Sequence, residues 1–143
     1  MRPLLLAVLL LVSLAARAQT QAECPVPVDR YDAIDDLLAA APSCRAAADL
    51  FFACATASSG DVSRGSAARE RCERDFAPAL PAPEAASYRR RIAACDRKYR
   101  RESGTMYRSF EAACGVEEAA RRARAGKRRD DFAWVGRALA EKP

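Results

Sequence analysis

The chain has 143 residues, with 24 lysines and arginines against 19 acidic side chains, six cysteines and no histidine. Without histidine there is no Ser-His or Cys-His dyad, no HExxH metal motif and no imidazole to move protons near neutral pH, and without a CxxC pair the usual zinc, haem and redox spacings are missing. The length is that of one domain, and beyond the amino terminus no apolar run reaches the roughly 20 residues that a membrane span needs.

In chain order, residues 1–18 read as a cleaved signal peptide. Arg2 precedes a run from Leu4 to Leu14 that is apolar apart from Ser13, and Ala16-Arg17-Ala18 fits the small-x-small rule for cleavage. The remaining chain is expected to be exported, to the periplasm or the cell exterior. In that setting Cys24, Cys44, Cys54, Cys72, Cys95 and Cys114 read as disulfides of a small domain with a limited core, and neither a metal nor another cofactor is expected. Gln21-Ala22-Glu23 before Cys24 lacks the pattern of a lipid-attachment site.

Alanine and arginine dominate, β-branched residues are few, and no stretch alternates, so the pattern predicts helices throughout. A first helix over 29–41 would turn Tyr31, Ile34, Leu37 and Leu38 inward and stop at Pro42. A second, capped by Ser43, would run to about Ala57 with Cys44, Ala47, Phe51 and Cys54 on one stripe, and a third would follow Asp61 with Cys72 and Phe76 inward, weakened at its start by Gly65. Residues 77–83 form a proline-rich connector. A fourth helix from Pro83 would bury Tyr88, Ile92, Cys95 and Tyr99, and after the Ser103-Gly104 stop a fifth, capped by Thr105, would bury Met106, Phe110 and Cys114. The expected fold is all-α, a small disulfide-stapled bundle of about five or six short helices arranged as hairpins over 19–125. A basic linker and a short amphipathic helix over 126–143, with Phe132, Trp134, Val135 and Leu139 on its apolar face, would follow Gly126.

Counted outward from Ser103-Gly104, Cys95 lies 8 residues back and Cys114 10 forward, level with one another in an antiparallel hairpin, so they are expected to pair. For the other four, Cys24 with Cys44 and Cys54 with Cys72 are preferred, the second pair making a similar hairpin and the two halves a degenerate repeat. Cys44 with Cys72 stays open.

The charge is uneven. Residues 19–86 carry 6 basic and 11 acidic side chains, whereas 87–129 carry 14 and 5. The densest cluster is Arg121, Arg122, Arg124, Lys127, Arg128 and Arg129, a candidate patch for a protein, an anionic envelope polymer or lipid headgroups. No aromatic rings are interleaved there to stack on bases, which speaks against nucleic acid. The carboxylate neighbours Asp35-Asp36 and Glu117-Glu118 point about 100° apart on a helix and suit exposed faces better than acid–base catalysis.

Tyr88 before an arginine-rich helix to Cys95, then Ser103-Gly104-Thr105, then Cys114 and Arg121, resembles the second half of small exported LprI-type lysozyme-inhibitor domains. The resemblance implies a helical, disulfide-bonded, exported protein that inhibits lysozyme. The chain departs from that pattern in lacking the tryptophan before the arginine, in having no asparagine, and in the spacing of its first cysteines, and no inhibitory residue carries over. The expected function is a non-enzymatic exported binding protein, in its sharpest form an inhibitor of a lysozyme-type cell-wall hydrolase. A structural envelope component is the alternative.

Overall fold

The computed structural model describes residues 23–140, with side chains as far as Gly126. The signal-peptide reading of 1–18 and the apolar face around Phe132 and Trp134 lie outside the described residues and side chains. Five α-helices follow one another, α1 (Tyr31–Ala40), α2 (Cys44–Cys54), α3 (Gly60–Phe76), α4 (Ala82–Tyr99) and α5 (Thr105–Ala140), with a 3-10 turn at Ala77–Ala79 between α3 and α4. The all-α, disulfide-stapled fold is as the composition dictates, and no strand occurs among the described residues.

The first two helices are short because their ends are fixed by specific groups. Ser43 caps α2 by accepting the Ala46 N–H at 3.2 Å. The chain leaves α2 at Cys54, earlier than the expected Ala57, since the Asp61 carboxylate accepts the Thr56 and Ser58 N–H groups at 3.2 Å and draws the loop back onto the start of α3. Within that loop Ala57 adopts φ 56°, a left-handed conformation that suits glycine better. On α1, Ile34 and Leu38 are fully buried, but Tyr31 and Leu37 stay 53% and 39% exposed, against the expectation that all four point inward. Two residues one helical step apart suffice for a ten-residue helix that meets its neighbours along one edge.

α3 runs through the centre and its arginines close the ends of its neighbours. Arg71 donates to the carbonyls of Ala41 and Pro42 at 2.6 and 2.7 Å, and Arg74 to that of Ala39 at 3.0 Å, all at the end of α1. Arg64 donates to Cys54 O at 2.9 Å, the end of α2, and to Val28 O at 2.6 Å. Carbonyls at a helix carboxyl end have no partner within the helix, and a cation suits the negative end of the dipole.

α5 lies alongside α3, in the same direction, and the two are in close contact. A Cβ on Gly65 would stand 2.7 Å from the Ala112 Cβ and 3.3 Å from its Cα. That glycine is therefore a helix-packing residue, where the sequence suggested a weak helix start. The contact also corrects the inward face of α5. Met106 and Phe110 are 44% and 41% exposed and Cys114 is half-buried, while Ser109, Gly115, Val116, Ala119 and Ala120 are buried. Close approach selects the small residues of α5, and its large apolar side chains are left at the edge. The expected stop at Gly126 is also absent, for α5 continues as a single helix to Ala140.

Three disulfides hold the bundle. Cys95 pairs with Cys114 as expected, with Cα atoms 5.7 Å apart. The other pairs are Cys24–Cys54 and Cys44–Cys72, correcting the preferred Cys24–Cys44 and Cys54–Cys72 and the notion of a repeat. The α2–α3 loop centres near Ala57, so Cys44, 13 residues before it, is level with Cys72, 15 after. Cys54 sits at the loop itself, where its carbonyl accepts from Arg64, and is bonded to Cys24 of the segment before α1.

Candidate binding surfaces

Among the described residues the most buried polar side chains are Asp61, Arg64 and Ser109, at 0%, 0% and 4% exposure. The Asp61 carboxylate accepts from the Ser109 hydroxyl at 2.7 Å, as well as from the loop amides, and lies 3.6 Å from the Arg64 guanidinium. The guanidinium also stacks 4.8 Å from the centre of the Tyr31 ring. These groups tie together the segment before α1, the α2–α3 loop and α5. They are a latch, with their hydrogen-bonding capacity turned inward. Sequence reasoning took Asp61 as a helix start and passed over Arg64. The signal was present, because stepping back from Cys72 along its stripe leads through Ala68 to Arg64 and Asp61, two charges on the inner face of a helix.

A cleft of about 610 Å³ runs between α3, α4 and α5. On its wall the Tyr88 hydroxyl donates to Glu73 at 2.8 Å, and Arg69 stands 3.5 Å from the same carboxylate oxygen. Burial and the Glu73 carboxylate push the Tyr88 phenol well above its ordinary range, so it remains a neutral donor. Tyr88 also packs edge-on to Phe76, with ring centres 5.1 Å apart. Arg108 and Glu111 close the far end with a 2.8 Å ion pair. Tyr88, Glu73 and Arg69 on one side and Arg108 and Glu111 on the other are engaged among themselves, an arrangement suited to holding helices in register, while Arg89 and Asp96 line the cleft exposed.

The carboxyl-terminal basic patch is only partly open. Arg122 forms an ion pair with Glu84 on α4, and its side chain is 11% exposed. Arg121 pairs with Glu118, which also receives Arg91 at 3.2 Å. Glu118 thus joins α4 to α5 while Glu117 is exposed, so the two neighbours do diverge; likewise Asp36 is exposed and Asp35 half-buried. Arg124 is exposed near a second groove of about 660 Å³ floored by Phe76, Leu80 and Ala120. Lys127, Arg128 and Arg129 have side chains outside the described ones.

The unused charge lies on α4. Arg89, Arg90, Arg97, Lys98, Arg100 and Arg101, on α4 and just past its end, are all exposed. None of them has a carboxylate in ion-pair contact among the described residues. Arg90 and Arg97 recur at i and i+7 on α4, a stripe opposite the buried Tyr88 and Cys95, and Arg101 follows in the turn past the helix end. The Cys95–Cys114 bridge ties this surface to α5.

Among the described residues no group of His, Cys, Asp or Glu side chains could hold a metal ion, and no helix is long and apolar enough to cross a membrane. No family model, curated protein or solved structure matches the chain.

Proposed function

We propose that the protein is an exported, non-enzymatic binding protein that inhibits a cell-wall hydrolase of lysozyme type. The observation that carries this reading is Arg90 and Arg97 on a helix fastened by a disulfide, with Arg101 just past its end, three exposed guanidinium groups without carboxylate partners among the described residues. Glycoside hydrolases of this class work with a pair of carboxyl groups in an open cleft, and a row of fixed cations complements such a cleft. Fastening the helix beforehand lowers the entropy lost on binding. The partial resemblance of residues 88–121 to LprI-type domains agrees with the same partner.

The test is a turbidity assay of lysozyme on bacterial cell walls with the oxidised protein present. Inhibition should weaken with salt, and Arg90→Glu should weaken it by about tenfold or more, the loss expected when attraction becomes like-charge repulsion. Undiminished inhibition by Arg90→Glu would reject the stripe as the contact. No inhibition of any lysozyme-type hydrolase, together with no binding partner in an envelope extract, would leave the structural envelope role.

A further inference from the structure

The end of the molecule formed by the α4–α5 turn has a property that hydrolase binding does not use. Met106 and Phe110, one helical step apart on α5, are 44% and 41% exposed. Phe110 is bracketed by Tyr99 and Tyr107, with ring centres at 6.1 and 6.2 Å, so three rings and a thioether share one end. Val62 is 43% exposed at the same end, because Asp61 bonds Ser109 and Gly65 abuts Ala112, which sets the start of α3 beside the start of α5. Lys98 stands 4.9 Å from the centre of the Tyr99 ring, and Arg97, Arg100 and Arg101 surround it in sequence, all exposed. The acidic groups at this end are Asp96, Glu102 and Glu111, the last paired with Arg108, and Glu117 acts on Lys98 from farther along α5. The balance is therefore cationic.

We propose that this closed end of the hairpin docks on an anionic phospholipid surface, with Met106 and Phe110 entering the headgroup boundary and Arg97, Lys98, Arg100 and Arg101 meeting lipid phosphates. The inference goes beyond the hydrolase reading and does not depend on it; Arg97 and Arg101 serve both surfaces, and what hydrolase binding leaves unused is the apolar pair Met106 and Phe110. Two observations choose lipid over an acidic protein. The exposed Met106, Phe110 and Val62 share the turn end of the hairpin with exposed cations, past its disulfide, and a fluid bilayer closes around such groups whereas a protein partner needs a matching cavity. Tyrosine rings with a polar tip on an apolar body suit the level of the headgroups, and basic side chains beside them are drawn by the negative surface potential. The staple holds the end in shape beforehand, so docking orders few groups.

The experiment is co-sedimentation of the oxidised protein with vesicles of phosphatidylcholine alone and with phosphatidylglycerol added. Binding should require the anionic lipid and fall as salt rises. Replacing Arg97, Lys98, Arg100 and Arg101 by glutamine should weaken it by about a hundredfold or more. Met106→Ser with Phe110→Ser should weaken it by about tenfold, while leaving hydrolase inhibition and the far-ultraviolet dichroism unchanged. Phe110→Trp in a Trp134→Phe background should shift its emission to the blue on vesicles and be quenched by brominated lipid, and Met106→Trp serves where that variant does not fold. No binding to phosphatidylglycerol vesicles, or binding indifferent to the Met106 and Phe110 changes, would overturn the proposal. Equal affinity for soluble polyglutamate would do the same, pointing to a polyanion partner.

Discussion

The half of the chain from Cys24 to Phe76 and the hairpin of α4 and α5 use the same side chain in opposite ways. In the first half the arginines of α3 reach inward, where Arg64, Arg71 and Arg74 donate to carbonyls that end α1 and α2. In the hairpin Arg90, Arg97 and Arg101 stand exposed with no ion-pair partner among the described residues. Two of the three disulfides lie in the first half and one in the hairpin. The contrast teaches that an arginine-rich composition does not by itself mark a binding surface. What decides is whether unpaired carbonyls or carboxylates lie within reach, and α3 sits among helix ends while the outer face of α4 does not.

The sharpest way to break this comparison is Arg64→Ala, which strands the buried Asp61 carboxylate. Urea denaturation should show a loss of about 3 to 5 kcal/mol, the cost of a buried charge without its partner. Arg90→Ala should stay within about 0.5 kcal/mol, as for a surface change. Equal losses at the two positions would erase the distinction.

Removal of bridges comes next. Cys44→Ala with Cys72→Ala should cost about 2 to 5 kcal/mol. The sequence separations of 28 for Cys44–Cys72 and 19 for Cys95–Cys114 differ too little to matter, since the chain-entropy term changes by only about 0.3 kcal/mol between them. A larger gap between the two double variants would therefore report packing, and hydrogen exchange should place the loosening around Cys95–Cys114 in the hairpin alone.

Glycines sharpen the comparison further. Gly65→Ala drives a methyl into Ala112 and should destabilise by about 1 to 3 kcal/mol. Gly115→Ala, whose Cβ would meet nothing nearer than Arg69 at 3.9 Å, should stabilise α5 by up to about 1 kcal/mol through helix propensity. Opposite signs in thermal melting are the expected result.

The smallest effect is acid sensitivity at Asp75. Burial pushes its carboxyl up, but the Arg71 hydrogen bond, the Cys44 N–H and the charges of Arg71 and Arg74 outweigh burial and hold it below its ordinary value. A depressed folded-state value means that the stabilisation is complete above the unfolded value near 3.8 and is lost as pH falls through the lower, folded one. Asp75→Asn should flatten the decline in the denaturation midpoint over that acid range.

Much of the architecture was legible because alanine, arginine, proline and glycine punctuate helices by local rules. Ser43, Gly104, the proline connector and the level pair Cys95–Cys114 all follow from counting along the chain. Failures came where distant groups decide. The face of α5 could not be read from its large apolar residues, since the glycine that lets α3 come close is 47 positions from Ala112. The Cys44–Cys72 bridge obeys the counting that placed Cys95–Cys114, but the loop centre was obscured because Asp61 ends α2 early from across the turn. The latch was missed for a similar reason, as Ser109 and Val28 join Arg64 and Asp61 only in three dimensions. On the binding side, the patch at 121–129 was singled out by density alone, whereas Glu84 and Glu118 occupy two of its arginines and the unpaired cations stand on α4.

The pairing of the first four cysteines has a consequence for biosynthesis. Cys24–Cys54 and Cys44–Cys72 interleave along the chain, whereas Cys95–Cys114 closes between neighbours in sequence. If the chain is oxidised as it emerges from its amino terminus, Cys24 and Cys44 meet the oxidant before their partners, and a bond made between them then is a non-native one. Native linkage there requires thiol–disulfide exchange through mixed intermediates, on a scale of seconds to hours set by oxidant and isomerase. Maturation of the amino-terminal half should therefore be limited by an isomerase, while the hairpin needs only an oxidant.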